Sequence, residues 1–145
     1  SSIKLKNLIN KKKFFVIAEA DVIMKDFEVA LKMVREAAKS GADAIKFQSF
    51  TLNNLFAVKE YIKELKLPEN ALDGINDIVF KKEWYKPLIE EAKKNNIIFI
   101  STPFSIESVL EMEENNIEIY KIASCDIDNI PLLNAIAKTK NRYNV

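Results

Sequence analysis

The chain has 145 residues, 48% hydrophobic and 30% charged, the balance of one soluble globular domain. With 22 Lys and Arg against 21 Asp and Glu, its net charge of +1 leaves no basic excess to neutralise a nucleic-acid backbone, although a local anion site stays open. One Cys, no His and two Gly exclude an internal disulfide, a histidine metal centre and Gly-rich nucleotide loops, and no apolar run reaches the roughly 18 residues of a membrane span or forms a signal-peptide core, so a cytoplasmic protein is expected.

Residues 1–13 offer an extra strand at Ile3 and Leu5, and the Lys11-Lys12-Lys13 run reads as a solvated lead-in. Phe14 to Ala18, ending at Glu19, is a short apolar run that predicts a first strand. From Asp26 the period changes. Phe27, Ala30, Leu31, Val34, Ala37 and Ala38 recur at helical spacing, with Lys32, Arg35, Glu36 and Lys39 opposite and Gly41 at the helix end. Ala44 to Gln48 is the second strand. Residues 49–81 form a long excursion with a short helix near 57–66 and turn signals at Pro68 and Gly74.

A helix over 83–94 carries Trp84, Leu88, Ile89 and Ala92 on its packing side and ends at Asn95-Asn96; Ile97 to Ser101 is the third strand. Ser105 caps the next helix, with Glu107 in its first turn and Ile106, Val109 and Leu110 on the expected buried side. Asn115-Asn116 ends it, and Ile117 to Ile122 is the fourth strand. Asp128 or Asn129, followed by Pro131, opens a last helix through Leu132, Leu133, Ile136 and Ala137. Apolar strands alternating with amphipathic helices predict an α/β fold of parallel βαβ units, about four units of a (β/α)8 TIM-type barrel.

Strand residues alternate faces. If the more apolar face of each strand lies under its helix, then Glu19, Lys46, Gln48 and Lys121 face the barrel axis near their strands' C-terminal ends, where barrel enzymes build active sites. Thr102 and Ser124, just past the third and fourth strands, reach the same rim. Two ammonium groups, an amide, two hydroxyls and a carboxylate suit a phosphate or carboxylate ligand. The competing reading has both lysines snorkelling to solvent or pairing with Glu19 and Asp43. Cys125 is either a reactive thiol or a small buried hydrophobe, the latter preferred. Trp84 reads as packing. Asp126 and Asp128 read as turn and cap residues rather than metal ligands.

Phe15-Val-Ile-Ala-Glu-Ala20, Gly41 to Phe50, Ser101-Thr-Pro-Phe104 and Tyr120-Lys-Ile-Ala-Ser124 with Asn129 to Leu133 resemble the sialic acid synthase family, in order and spacing over nearly the whole chain. Those enzymes condense phosphoenolpyruvate with an N-acetylated amino sugar to give a nine-carbon sugar acid. The resemblance implies that Lys46, Gln48, Thr102, Lys121 and Ser124 hold phosphoenolpyruvate and that Glu19 is the catalytic carboxylate near the sugar. It also implies a Mn or Mg ion, held in the intact enzyme by histidines of later strands, and a domain-swapped homodimer with a C-terminal antifreeze-like domain. On this reading residues 1–145 are the N-terminal part of the barrel, the chain stops before a fifth strand, and the later strands and second domain are absent. The family's Gly-x-Asn-His-x-Gly-like loop is replaced by Asp21-Val-Ile-Met-Lys-Asp26. Two rival readings are a Schiff-base aldolase using Lys121 and a catalytically silent half-barrel that binds an anion or a partner chain.

Overall fold

The computed structural model describes residues 10, 14–20, 26–64, 66, 68, 70, 79–139 and 143–144. The expected strand at Ile3 and Leu5, the Lys11–Lys13 run, Asp21 to Lys25 and Gly74 lie outside them. Five strands lie side by side in chain order: β1 (Ile17–Glu19), β2 (Ala44–Ser49), β3 (Ile98–Pro103), β4 (Ile119–Tyr120) and β5 (Tyr143–Asn144). Every neighbouring pair is parallel. The helices between them are α1 (Phe27–Lys39), α2 (Leu52–Glu64), α3 (Tyr85–Lys94), α4 (Ile106–Glu114) and α5 (Ile130–Ala137). This is a partial (β/α) barrel, as the alternating pattern predicts.

Local chemistry sets the element ends. The Asp26 carboxylate accepts the Glu28 backbone N–H at 2.9 Å and caps α1. After its last turn, Gly41 sits at φ +85°, a left-handed conformation that turns the chain into β2. Asn96 and Asn116 do the same after α3 and α4, at φ 54° and 55°, because asparagine tolerates that region better than other side-chain-bearing residues. Ser105 accepts the Ser108 N–H at the start of α4, and Asn129 accepts the Leu132 N–H before Pro131.

Two apolar clusters occupy the two faces of the sheet. Ile45, Phe47, Phe99 and Tyr120 pack outward against Ala30, Val34, Tyr85, Leu88, Val109, Met112, Leu132 and Ile136 of the helices. Ala44, Ile100 and Ile119 pack on the axial face with Phe15, Ile17 and Ile98. The alternation read from the sequence is therefore the one observed.

Several expectations change. Tyr143–Asn144 is the start of a fifth strand, paired with β4 through Ile119–Tyr143 and Tyr120–Asn144. The short helix expected near 57–66 is the longer α2, because Thr51 and Asn54 exchange hydrogen bonds at its start, with the Asn54 N–H reaching Thr51 Oγ1 at 3.3 Å and Asn54 Oδ1 accepting from the Thr51 N–H at 2.9 Å. In α4, Ile106 and Leu110 are 50% and 60% exposed, whereas Ser108, Val109 and Met112 are buried. A buried serine disguises that stripe: the Ser108 hydroxyl is satisfied by the Ser49 carbonyl at 2.7 Å. Cys125 is exposed, not a buried hydrophobe, because it sits in the 3-10 turn Ser124–Asp126 that leaves the sheet beyond β4. Asp126 is a turn residue that accepts from the Asn129 side chain at 2.9 Å.

The corrected face of α4 has a direct test. Met112→Ala opens a cavity in the core and is expected to cost about 2–4 kcal/mol. Leu110→Ala, on the exposed side, is expected to change stability by less than about 0.5 kcal/mol. Urea unfolding of the two variants checks the difference; equal losses would return Leu110 to the core.

Candidate functional site

The C-terminal ends of β1, β2 and β3 are held level by pairing. Glu19 lies beside Lys46, Lys46 beside Ile100, and Gln48 beside Thr102. Just past β4, the Lys121 N–H donates to the Ser101 carbonyl at 3.1 Å, which extends the alignment to a fourth chain segment. Glu19, Lys46, Gln48, Thr102 and Lys121 thus share the axial face at one end of the sheet. Ser124 lies outside this row, exposed in the turn beyond β4.

Lys46 is only 3% exposed. Its Nζ meets Glu19 Oε1 at 3.0 Å. Of the two pairings weighed for the lysines, the one with Glu19 is realised at Lys46. Asp43 is spent at the other end of β2, where its carboxylate accepts the Val16 N–H at 2.9 Å. The Glu19 side chain is half exposed. The hydrogen bond and charge of Lys46 hold its carboxyl below the ordinary value of 4.5, and the more distant charge of Lys121 adds in the same direction.

Thr102 is 1% exposed, and its Oγ1 has no hydrogen-bond partner among the described residues. An orphaned buried hydroxyl is costly, on the order of 1–3 kcal/mol. It lies on the axial face as the diagonal neighbour of Lys46, where an incoming acceptor oxygen would satisfy it. Behind the same strand ends, Ser49, Tyr85, Ser101 and Ser108 form a second buried polar group. Sequence reasoning did not single these out, because hydroxyls on the helix-facing side of a strand read as filler. Ser49 and Ser101 interrupting otherwise apolar outward positions were the available signal.

The NeuB family matches over residues 33–144. The chain is 39% identical to an N,N'-diacetyllegionaminic acid synthase of Campylobacter jejuni, over 90% of this chain and 41% of that protein. It is 32% identical to a pseudaminic acid synthase of the same species, over 92% of this chain and 41% of that protein. Among solved structures, an N-acetylneuraminic acid (sialic acid) synthetase from Leptospira borgpetersenii, in complex with citrate, superposes with a TM-score of 0.70. It is 37% identical over 88% of this chain and 42% of that chain. The phospho-2-dehydro-3-deoxyheptonate aldolase of Thermotoga maritima, at 12% identity and a TM-score of 0.58, shares the fold alone. The chain spans about two fifths of the length of the synthases it matches.

Removing the carboxylate exposes how far Lys46 depends on it. Glu19→Gln leaves a buried ammonium without its counter-charge and is expected to cost about 1 kcal/mol, the upper end for an exposed pair and well short of a fully buried one, because Glu19 is half exposed. The folded-state pKa of Glu19 is depressed, so its contribution is complete above 4.5 and lost as pH falls through the lower folded value. Denaturant titrations of wild type and Glu19→Gln from pH 7 to pH 3 are expected to converge at the acid end. A gap that does not narrow would show that the pair is not the source.

Proposed function

This chain belongs to the NeuB family, and on that premise we propose that its strand ends form the phosphoenolpyruvate-binding side of a sialic-acid-type synthase. The observation that carries the reading is the buried, unpartnered Thr102 hydroxyl on the same axial face as the buried Lys46 ammonium. Together they offer an anion both charge and an unsatisfied donor in a partly dry site, where each counts for more than in water. Gln48 supplies an amide beside Thr102, Lys121 a second positive charge, and Ser124 a hydroxyl at the edge.

In the proposed reaction the lysines neutralise the phosphate and carboxylate of phosphoenolpyruvate. The enol carbon then attacks the aldehyde carbon of an N-acetylated amino sugar and forms the new C–C bond. Water adds at the neighbouring carbon, and cleavage of its C–O bond releases phosphate. On this reading Glu19 faces the sugar; its half-exposed carboxylate beside Lys46 supports that role. Charges and donors held in place for the developing anion lower the barrier without reorganising.

The Mn or Mg ion expected from the resemblance does not fit the residues described. Among them no three of His, Cys, Asp and Glu gather as a metal requires. The metal ligands of the intact synthase, and the opposite wall that orients the sugar, are proposed to lie outside these residues. No described helix is long and apolar enough to cross a membrane.

Binding is the test for this chain. Phosphate and phosphoenolpyruvate are expected to raise its melting temperature, because a ligand that binds only the folded state stabilises it by mass action. The Lys46→Ala, Lys121→Ala double variant is expected to lose that shift. An undiminished shift in the double variant would remove the lysines from the site. Sugar-dependent phosphate release, with N-acetylmannosamine or a related sugar and Mn²⁺, is expected to stay at background for residues 1–145. A chain extended through the remaining strands is expected to turn over, and to stop with Lys121→Ala.

A further inference from the structure

Four hydroxyls lie directly behind the proposed anion site, on the helix-facing side of the strands that carry it. Ser49, Ser101 and Ser108 are 2%, 0% and 0% exposed, and Tyr85 is 0% exposed. Ser49 Oγ bonds the Tyr85 hydroxyl and lies 2.5 Å from Ser101 Oγ. Ser101 Oγ donates to the Phe47 carbonyl at 3.2 Å, across the β2–β3 seam. Ser108 Oγ donates to the Ser49 carbonyl at 2.7 Å.

Each hydroxyl has one proton, and taking the Phe47 carbonyl as the acceptor of the Ser101 proton orders the chain. Ser101 spends its proton on the Phe47 carbonyl, so it accepts from Ser49. Ser49 has then spent its proton on Ser101, so it accepts from Tyr85. The line runs from the Tyr85 O–H through Ser49 and Ser101 to the backbone of β2, with Tyr85 as the first donor. Burial pushes the Tyr85 phenol well above its ordinary value, so it stays a protonated donor at any working pH.

The position of this line gives it a consequence. Ser49 follows Gln48 in the chain, and Ser101 precedes Thr102. Gln48 and Thr102 are partners in the register and point to the opposite face. Every hydroxyl bond on the back therefore holds the peptide that aims a side chain at the front. Tyr85 is the first residue of α3, and its ring lies 4.6 Å from that of Phe80, whose N–H donates to the Phe50 carbonyl at 2.8 Å. The start of α3 is thus fastened to the end of β2 on both sides of the long excursion.

We infer that Tyr85 is a positioning residue for the anion site, acting through Ser49 and Ser101 to hold Gln48 and Thr102 in register. The inference rests on the anion-site reading and assigns Tyr85 no contact with the ligand. It differs from a packing role, which the ring alone would fill.

Tyr85→Phe keeps the ring and removes the first donor. The control is Tyr120→Phe, which removes another fully buried phenol, one whose hydroxyl reaches Glu113 at 3.5 Å and not the β2–β3 seam. Inorganic phosphate is the probe, with affinity read by calorimetry on the 145-residue chain. Amide exchange at Gln48, Ser49 and Thr102 reads the register without a ligand. Tyr85→Phe is expected to weaken phosphate about threefold to tenfold, the scale of one misplaced hydrogen bond, and to speed exchange at those amides selectively. Tyr120→Phe is expected to leave both unchanged. Ser49→Ala breaks the same line one link on, and it carries the test if Tyr85→Phe does not fold. Wild-type phosphate affinity and exchange in these variants, where Thr102→Val loses affinity, would overturn the inference alone. A wild-type chain that binds no phosphate would overturn the anion-site reading beneath it.

Discussion

The register between β2 and β3 is the constraint on which the rest of the structure depends. Six consecutive residues of each strand are paired, from Ala44 with Ile98 to Ser49 with Pro103. Side chains alternate along a strand, so a slip of one residue would carry Lys46 and Thr102 into the apolar layer under the helices. It would also carry Phe47 and Phe99 to the axis. No such state is tolerable: an ammonium without a partner would sit among Val34, Leu88 and Met112, and the stacked Phe47 and Phe99 rings, 5.3 Å apart, would lose their neighbours.

The two faces solve opposite problems at the same positions. Outward, the buried side-chain polar atoms of the described residues are few and satisfied, and a line of hydroxyls closes on a strand carbonyl. Inward, Ala44, Ile100 and Ile119 make a small apolar floor, and polarity is held back until the last turn of the pleat. There Lys46 is buried with one ion-pair partner, and Thr102 is left unsatisfied. A protein selected for stability alone has little use for an orphaned hydroxyl when valine fills the same volume. Satisfaction behind and deficit in front is the arrangement expected of a site whose missing partner is a ligand.

The strand faces were legible because the apolar floor and the helix-facing layer are both aliphatic or aromatic, and the charges that break the pattern, Glu19 and Lys46, fall on one face. Lys46 and Glu19 could be placed on one face from alternation alone; that they meet at 3.0 Å depends on the β1–β2 register, which spacing does not fix. The α4 stripe was misread because Ser108, a polar residue, fills a core position through a bond to the Ser49 carbonyl, while Ile106 and Leu110 lie on the surface. The fifth strand was missed because Tyr143–Asn144 is too short to show a period. The start of α2 was hidden because Thr51 and Asn54 cap it without the usual acidic partner. In the two helices a tertiary or capping bond overrode the local pattern, and such bonds join residues whose types alone do not announce the pairing.

The Glu19–Lys46 pair gives the proposed site its order of events. An ammonium as buried as that of Lys46 is costly unless paired, and in the chain without ligand Glu19 is the pair. An incoming phosphate brings more negative charge than one carboxylate and also satisfies Thr102, which Glu19 leaves unsatisfied. On the proposed reading the phosphate would take the place of Glu19 at Lys46, and the carboxylate is the cheaper group to set free because half of it already meets water. Released, Glu19 would remain at the end of β1, on the axial face beside the anion. On the proposed reading that is where the second substrate must approach. On that same reading, binding of the first substrate would turn a structural counter-ion into an available carboxylate, so that a single ion pair links the stability of the empty site to the readiness of the filled one.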